Sequence, residues 1–451
     1  MSHSLDGLHD FGDDHLLHGL YDPSDRKGLT ILVGGSGATI RDATGRYYLD
    51  GLSGLWNTIL GHGREELVEA AAQQMRQLSF CHTYSGFANI PAIQLATRLK
   101  SLAYDGLAAT FFTTSGADAN ESAFKTARFY WRRQGKPDKV KILSLEHGYH
   151  GVTLSAMSAT GLSGYSNMFQ PLVPHFIHVP APYPYRCNFA APGESHGAAA
   201  ARMLEETIQR ERPETVAAFI AEPVQGAGGV IVPPDDYFPR VREICNRYEI
   251  LFIADEVITG FGRTGQWFAL SHWGVQPDIM TFAKGITSGY LPLGGMMVRQ
   301  RIADAIDQAP PAQRWMHAST YSGHPVCCAV ALRTLEIIEA EKLVDRAAGL
   351  GRYMLNRLEE LYDLDNVGEV RGLGLMAAVE LVADRATKAV FDPALRVGER
   401  VRRQAQEAGL IVRNQRDIIN LAPPFVISEG QIDEMISILR RAIAGTTQGL
   451  R

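Results

Sequence analysis

The chain has 451 residues, of which 45% are hydrophobic and 21% charged, and its net charge is -5. This composition is ordinary for a globular protein, and the length allows about three domains or fewer large ones. The acidic balance excludes nucleic acid as an expected partner. Because no apolar run reaches membrane-spanning length and the first residues do not resemble a secretory signal, we expect a cytoplasmic protein without a membrane partner. The five scattered cysteines suggest reduced thiols and no metal site.

Predicted strands and helices alternate along most of the chain. Near the N-terminus, ATIRDATGRYYLDG predicts an antiparallel hairpin that turns at Thr44 and Gly45. Helical stretches such as ESAFKTARFYWRR then separate short β-branched or aromatic segments, which are apolar on both faces. These segments predict a mostly parallel α/β sheet with helices on both sides. They span residues 109–115, 141–147, 217–224, 250–257 and 278–285.

The C-terminal part has a different pattern. GLGLMAAVELV, GLIVRNQ and IINLAPP predict three strands. A capping box of Ser428 and Gln431 then opens a helix that has apolar residues at helical spacing. Both ends of the chain are therefore predicted to form a separate, smaller unit. The apolar residues of the last helix are Ile432, Met435, Ile436, Leu439 and Ile443.

Two predicted strands end in side chains that could carry chemistry. Asp255 and Val257 point to the same face of their strand. A carboxylate beside an apolar contact suits a planar ring with a cationic edge nitrogen, although such an aspartate could instead cap a helix or pair with Arg263. Lys284 follows a later strand, and partial burial would lower its pKa and provide a nucleophilic amine for a Schiff base. Alternatively, Lys284 could be an ordinary surface lysine at the end of a strand.

Two turns could contact a flat, phosphorylated ligand. In TTSGADANESAFKTARFY, a strand leads through a Ser-Gly-Ala turn into a helix, whose free N–H groups and dipole suit a single phosphate. An ordinary tight turn is the alternative. In EHGYHG, Tyr149 could stack on a flat ring or pack on the surface. His147 and His150 suggest zinc, but no third ligand follows at metal spacing.

A phosphate turn, a stacking aromatic, an acid and a nucleophilic lysine together describe a site for pyridoxal 5'-phosphate (PLP). Six motifs also occur in the order found in class III aminotransferases, which are PLP-dependent enzymes of fold type I. The chain is identified as resembling that family over nearly its whole length. The motifs are SGADANE, HGYHG, EPVQGAGG, ADEVITGFGRTG, AKGITSGYLPLGG and TYSGHPV.

The resemblance implies a domain organisation and an assembly. It implies a large PLP-binding domain over residues 61–320 and a smaller α+β domain made from residues 1–60 and 321–451. It also implies a homodimer with its active sites at the subunit interface, and it leaves a tetramer open.

The resemblance also implies roles around the cofactor ring. Lys284 is similar to the lysine that forms the Schiff base with PLP and later moves a proton. Asp255 resembles the partner of the pyridine nitrogen, and a buried carboxylate there would keep that nitrogen protonated. Val257 and Tyr149 would pack against the two ring faces.

Five further positions match residues near the cofactor in the family. Ser115, Gly116 and Ala117 look like the phosphate turn. Thr320 resembles the residue that reaches the phosphate from the partner subunit. Glu222 matches a position close to the cofactor, where it would support the aspartate.

The substrate class depends on a few positions. Ala227 replaces the glutamate that masks an active-site arginine in many relatives acting on ornithine or 4-aminobutyrate. The chain resembles instead the amine:pyruvate, or omega, transaminases, whose mobile arginine corresponds to Arg413, with Arg416 as a rival. A guanidinium suits a carboxylate because it donates two parallel hydrogen bonds. Trp56 and Tyr84 fall where this subgroup places pocket-lining aromatics, although either could be core at a domain interface.

These observations predict a transaminase with a ping-pong cycle. An omega-amino acid, diamine or other primary amine would donate its amino group, and pyruvate would accept it to give alanine. Alternatives within the family are the adenosylmethionine-8-amino-7-oxononanoate aminotransferase of biotin synthesis and a taurine or beta-alanine:pyruvate aminotransferase. A PLP-dependent decarboxylase or mutase and a non-enzymatic module that kept the fold are more distant alternatives.

Overall fold

The structure, a computed structural model, describes residues 17–20 and 29–450. Among these residues, no helix combines the length and the apolar composition that crossing a membrane requires. The strands are β1 (Leu32–Ser36), β2 (Thr39–Asp42), β3 (Tyr47–Asp50), β4 (Leu107–Thr113), β5 (Lys141–Leu145), β6 (Phe176–Val179), β7 (Val216–Ala221), β8 (Leu251–Asp255), β9 (Ile279–Phe282), β10 (Gly294–Arg299), β11 (Val367–Gly372), β12 (Ala377–Leu381), β13 (Leu410–Ile411), β14 (Arg413–Gln415) and β15 (Ile418–Leu421). The helices are α1 (Ser53–Trp56), α2 (Glu65–Gln77), α3 (Ile90–Leu102), α4 (Gly116–Arg133), α5 (Leu154–Ala159), α6 (His196–Arg210), α7 (Tyr237–Arg247), α8 (Gln300–Asp307), α9 (Pro325–Ala340), α10 (Leu343–Glu359), α11 (Val397–Glu407) and α12 (Glu429–Thr447).

A seven-stranded sheet forms the centre of the molecule, in the order β4-β10-β9-β8-β7-β5-β6. The pairs among β5 to β9 are parallel, whereas β10 is antiparallel to both β9 and β4. The predicted mostly parallel α/β sheet is therefore confirmed, and each of the five predicted segments overlaps a strand. The sequence did not indicate β10, which starts with Gly294 and Gly295. A Cβ atom at Gly294 would lie 2.5 Å from the carbonyl oxygen of Ser115, so close backbone approach requires glycine there.

The alternation of side chains along β8 explains why its first four residues are all apolar. Leu251 and Ile253 pack in a buried cluster that includes Ala123 and Phe124 of α4. Phe252 and Ala254 belong to the large cluster on the opposite face. Because successive side chains alternate, a strand between two covered faces needs apolar residues at every position.

The ends of the chain form two further sheets, in the orders β1-β2-β3-β13 and β11-β12-β15-β14. The predicted hairpin is confirmed as β2 and β3, and Asp42 supports its turn by accepting hydrogen bonds from Thr44 and Arg46. GLIVRNQ was predicted as one strand, but the structure divides it. The first part pairs with the N-terminal β3, and β14 pairs with β15. The chain leaves one sheet for the other at Val412, which a local pattern of apolar residues does not reveal.

Side-chain hydrogen bonds fix the N-terminal ends of two helices. The side chain of Ser115 accepts a hydrogen bond from the backbone N–H of Asp118, so α4 begins at Gly116, five residues before the predicted helical stretch. The Ser428 and Gln431 capping box of α12 is confirmed, and the five predicted apolar residues of that helix are buried. The domain boundaries at residues 60 and 320 stay predictions.

Candidate active site

Asp255 ends β8 on the face that points toward α4. Its Oδ2 atom accepts hydrogen bonds from Asn120 Nδ2 and from His150 Nδ1, both at 2.8 Å, and its Oδ1 atom accepts one from the Val257 N–H at 3.1 Å. Only 2% of the residue is exposed. The carboxylate therefore has a fixed orientation before any ligand binds.

The two side chains that hold Asp255 are themselves held. Asn120 accepts a hydrogen bond from Thr281 Oγ1 and donates a second one to the carbonyl oxygen of His150, each at 2.8 Å. The backbone N–H of His150 donates to Thr160 Oγ1. No group of three potential metal ligands occurs in the described part of the chain. His150, which the sequence associated with zinc, instead contacts a carboxylate.

Sequence reasoning missed the contribution of Asn120 and His150, although both lie in the quoted motifs. A usable signal existed for Asn120. It lies on the apolar face of α4 together with Ala123, Phe124 and Ala127, all of which are buried. A buried amide among apolar residues needs polar partners, so its position predicts a polar group opposite.

Glu256, the neighbouring acid, points to the other face of the sheet. It accepts hydrogen bonds from the hydroxyl groups of Tyr104 and Thr259 and from the backbone N–H of Leu270. Burial raises the pKa of this carboxyl group above its usual range. The two adjacent acids therefore have different environments, since Asp255 faces a cavity and Glu256 lies in the core.

Lys284 lines the same cavity as Asp255. It follows β9 and begins a short 3-10 helix, Lys284–Thr287, with a φ of 47°. A positive φ is uncommon for a lysine and is often found at functional sites. Burial lowers the pKa of the amine, against the opposing effect of Asp255 and Glu222. A lowered pKa increases the fraction of neutral amine, which is the nucleophilic form.

The start of α4 forms the third part of the cavity wall, with Ser115, Gly116 and Ala117. In the part of the chain that the structure describes, the N–H groups of Gly116 and Ala117 have no protein acceptor. A Cβ atom at position 116 would lie 2.7 Å from Cγ1 of Val257. Glycine, which has no side chain, permits this close packing. The backbone N–H groups at the positive end of the helix dipole are then available to bind an anion.

Tyr149 and Val257 line the cavity, which has a volume of about 500 Å³. Glu222 holds the Tyr149 loop, because its carboxylate accepts hydrogen bonds from the N–H of Tyr149 at 2.8 Å and from the N–H of Gly226 at 3.0 Å. Burial raises the pKa of Glu222 to about 7. The described contacts of Glu222 are to this loop, and the support of Asp255 that the resemblance implies for Glu222 stays a prediction.

Arg413 lies beside this cavity, at the start of the edge strand β14. Its Nη2 atom donates a hydrogen bond to the hydroxyl group of Tyr165 at 2.8 Å. The ring of Tyr165 in turn lies against the ring of Tyr149, a residue of the cavity wall, so the guanidinium lies near that wall. Burial is the main cause of the lowered pKa of Lys284, and the charge of Arg413 lowers that pKa further. Arg416, the rival candidate, is exposed.

Three further predicted residues also lie outside the cavity wall. Trp56 is 2% exposed, so in this chain the structure favours its interpretation as core. Tyr84 is 40% exposed and stacks on His82 with 4.2 Å between the ring centres. Thr320 is exposed. The substrate or cofactor roles of these residues stay predictions. Trp56 belongs to a buried apolar cluster whose other members are Leu52, Val224, Val230, Ile258, Met376, Ala378 and Ala422.

The cavity fits PLP in each of its parts. The helix start offers free N–H groups to a phosphate, Asp255 is fixed as a partner for a ring nitrogen, and Lys284 supplies the amine. The site is therefore that of a PLP-dependent enzyme.

Comparison with known proteins identifies the family. Residues 20–443 match the family model of the class III aminotransferases, so the chain belongs to this family and is a PLP-dependent aminotransferase. It is 42% identical to the putrescine–pyruvate aminotransferase of Pseudomonas aeruginosa, over 94% of this chain and 93% of that protein. It is 39% identical to the adenosylmethionine-8-amino-7-oxononanoate aminotransferase of Geobacter sulfurreducens, over 93% of each. The crystal structure of a thermostable (S)-enantioselective omega-transaminase from Thermomicrobium roseum is also similar, with 48% identity, a TM-score of 0.94 and 98% coverage of both chains.

Proposed function

We propose that the protein transfers an amino group from a diamine, an omega-amino acid or another primary amine to pyruvate in a ping-pong cycle. The observation that carries this proposal is the position of Arg413 beside the cavity without an acidic partner. Within residues 29–450, its side chain has a hydrogen bond to Tyr165 and no carboxylate partner. Ala227 offers no side-chain acceptor to mask it. The similarity to a putrescine–pyruvate aminotransferase also supports the proposal.

Each residue around the cavity has a different role in the proposed reaction. When bound, PLP supplies a pyridine ring that withdraws the electron pair released at the amine-bearing carbon of the substrate. Asp255 would stabilise the proton on the ring nitrogen, and the turn at Gly116 would bind the phosphate. Lys284 Nζ would carry the proton between the amine-bearing carbon of the substrate and the cofactor, in one direction in the first half-reaction and in the other direction in the second. Tyr149 and Val257 would pack against the two faces of the ring.

The two substrates place different demands on Arg413. Pyruvate has a carboxylate, which a guanidinium binds through two parallel hydrogen bonds. A diamine such as putrescine has no carboxylate and carries a positive charge, so the same guanidinium must then have another partner. An arginine held by a neutral residue at the cavity edge meets both demands.

We infer that the protein is a homodimer. Several large apolar side chains on residues 78–93 are exposed, and the ring centres of Phe80 and the exposed Tyr321 are 6.0 Å apart. Large apolar patches of this kind mark protein interfaces. Tyr84 lies within residues 78–93 and Thr320 precedes Tyr321, so both would lie at the interface with a second copy that covers this surface. The exposed residues are Leu78, Phe80, Tyr84, Phe87, Ile90 and Ile93.

Absorption spectroscopy of the holoenzyme tests the proposed reaction. Putrescine should abolish the visible band of the lysine-bound cofactor, and pyruvate should restore the band with formation of alanine. If only S-adenosylmethionine abolishes the band, the biotin-pathway alternative is favoured and the pyruvate proposal is wrong. Light scattering of the same sample tests the dimer, and a fully active monomer would contradict it.

A further inference from the structure

We propose that Tyr165 is a specificity-determining residue, whose hydroxyl group competes with the substrate carboxylate for Arg413. The inference rests on the proposed function, in which one half-reaction uses a keto acid and the other an amine without a carboxylate. Tyr165 would then act as the internal partner of the arginine whenever the cavity holds no carboxylate.

The contacts of Tyr165 place it between the cofactor cavity and the arginine. It ends a short 3-10 helix, Ser163–Tyr165, and is partly buried. Its hydroxyl oxygen accepts the hydrogen bond from Arg413 Nη2 at 2.8 Å. Its ring lies against that of Tyr149, with 5.1 Å between the ring centres and an angle of 57° between the planes. One side chain therefore contacts both a wall of the cavity and the guanidinium.

The strength of this contact suits an exchangeable partner. A phenol hydroxyl is neutral and accepts through one oxygen, whereas a carboxylate is charged and accepts two parallel hydrogen bonds from a guanidinium. Because Arg413 has no carboxylate partner within residues 29–450, a substrate carboxylate meets only the phenol as a competitor. The carboxylate should displace Tyr165 when it is present, and Tyr165 should bind Arg413 again when it leaves.

The position of Arg413 in the fold permits this exchange. It is the first residue of β14, a three-residue strand at the edge of its sheet. The residue is neither fully buried nor fully exposed. A long side chain on a short edge strand can change rotamer without disturbing a packed core.

Affinity for a simple carboxylate tests the competition directly. Propionate is a suitable probe because it has the size of pyruvate but no keto group and cannot turn over. Calorimetric titration of the holoenzyme would compare the parent with Tyr165→Phe, Arg413→Ala and the double variant. Loss of one net hydrogen bond corresponds to roughly a fivefold change in affinity, so Tyr165→Phe should bind propionate about fivefold more tightly. In the Arg413→Ala background, the same substitution should have no effect.

A matched control removes a hydroxyl group far from the cavity. Tyr353 of α10 donates its hydrogen bond to Asp433, and Tyr353→Phe should leave propionate affinity unchanged. Unchanged or weaker binding by Tyr165→Phe would overturn the inference, as would an equal gain in the Arg413→Ala background. Because propionate does not react, this result is independent of the acceptor, whereas absence of alanine formation by the parent enzyme would contradict the proposed function alone.

Discussion

The two ends of the active site differ in how firmly their charged groups are held. Asp255 accepts three hydrogen bonds, and two of the donors, Asn120 and His150, have further partners of their own. Arg413 has one hydrogen bond, to a tyrosine, and starts a three-residue edge strand. In the proposed function, the first end would bind the same cofactor throughout the cycle, whereas the second would accept two unlike substrates in turn. The rigidly held group and the exchangeable group therefore lie at different ends of the active site.

The difference in burial explains why Asp255 is held firmly whereas Arg413 can exchange its partner. A carboxylate that is 2% exposed must be fully hydrogen-bonded, because an unsatisfied buried charge costs several kcal/mol. Such a network has a single good arrangement. Arg413 is partly accessible, so water or a ligand can replace its protein partner at little cost.

The largest effect is expected at the rigid end, from removal of the nucleophile. Lys284→Ala should still bind PLP, because the phosphate turn and Asp255 do not depend on the lysine. Turnover should fall by at least about a thousandfold, since no other amine in the cavity wall can replace the proton transfer. Single-turnover kinetics with putrescine measure the loss, and near-normal activity would show that Lys284 is not the reactive group.

A second substitution separates the two adjacent acids. Asp255→Asn should lower turnover about a hundredfold or more, because an amide does not stabilise the protonated pyridine ring as a carboxylate does. Glu256→Gln is the matched control on the opposite face, where the acid bonds to Tyr104 in the core. It should lower the melting temperature but leave the turnover of the folded enzyme within about twofold. Equal losses of turnover would remove the distinction between the two faces.

The same contrast separates what the sequence could predict from what it could not. The central strands were predictable because burial on both faces leaves a local apolar pattern, as in β8. Their chemical ends, Asp255 and Lys284, were identifiable because polar residues directly follow such a pattern. GLIVRNQ was assigned to one strand because a local pattern contains no information about which of two sheets each half joins.

The substrate end depends on contacts between distant segments. Tyr165 and Arg413 are 248 positions apart in the chain, and neither residue alone indicates the other. Trp56 shows the same difficulty, since an aromatic residue in a glycine-containing segment is compatible with a pocket wall or with core. Only the folded chain shows that Trp56 belongs to a buried cluster with Leu52, Val224 and Ile258.

An intermediate effect is expected at the exchangeable end. Arg413→Ala should raise the KM for pyruvate by about tenfold to a hundredfold, since a hydrogen-bonded charge pair is lost. The KM for an arylalkyl amine should change by less than about threefold, because such a donor does not need the guanidinium. Steady-state kinetics with both substrates give the comparison, with Arg416→Ala as the control. Equal changes for the two substrates would remove the assigned role of Arg413.

The smallest effect concerns Glu222, the acid at the rigid end that holds the Tyr149 loop. Burial raises its pKa to about 7, from an ordinary value of 4.5. The folded protein therefore keeps a proton between pH 4.5 and 7 that the unfolded chain releases. The stability from this proton is fully present below pH 4.5 and is lost as the pH rises through about 7.

Glu222→Gln should remove this pH dependence, because an amide does not titrate. The amide has one acceptor oxygen for the N–H groups of Tyr149 and Gly226, which lowers stability by an amount that does not depend on pH. The melting temperature of the variant minus that of the parent should therefore increase by a few °C between about pH 5 and pH 8. Glu69→Gln, on the exposed surface of α2, should give a constant difference. If the Glu222→Gln difference is also constant, Glu222 is already ionised at pH 5, and the expected loss of stability with rising pH is wrong.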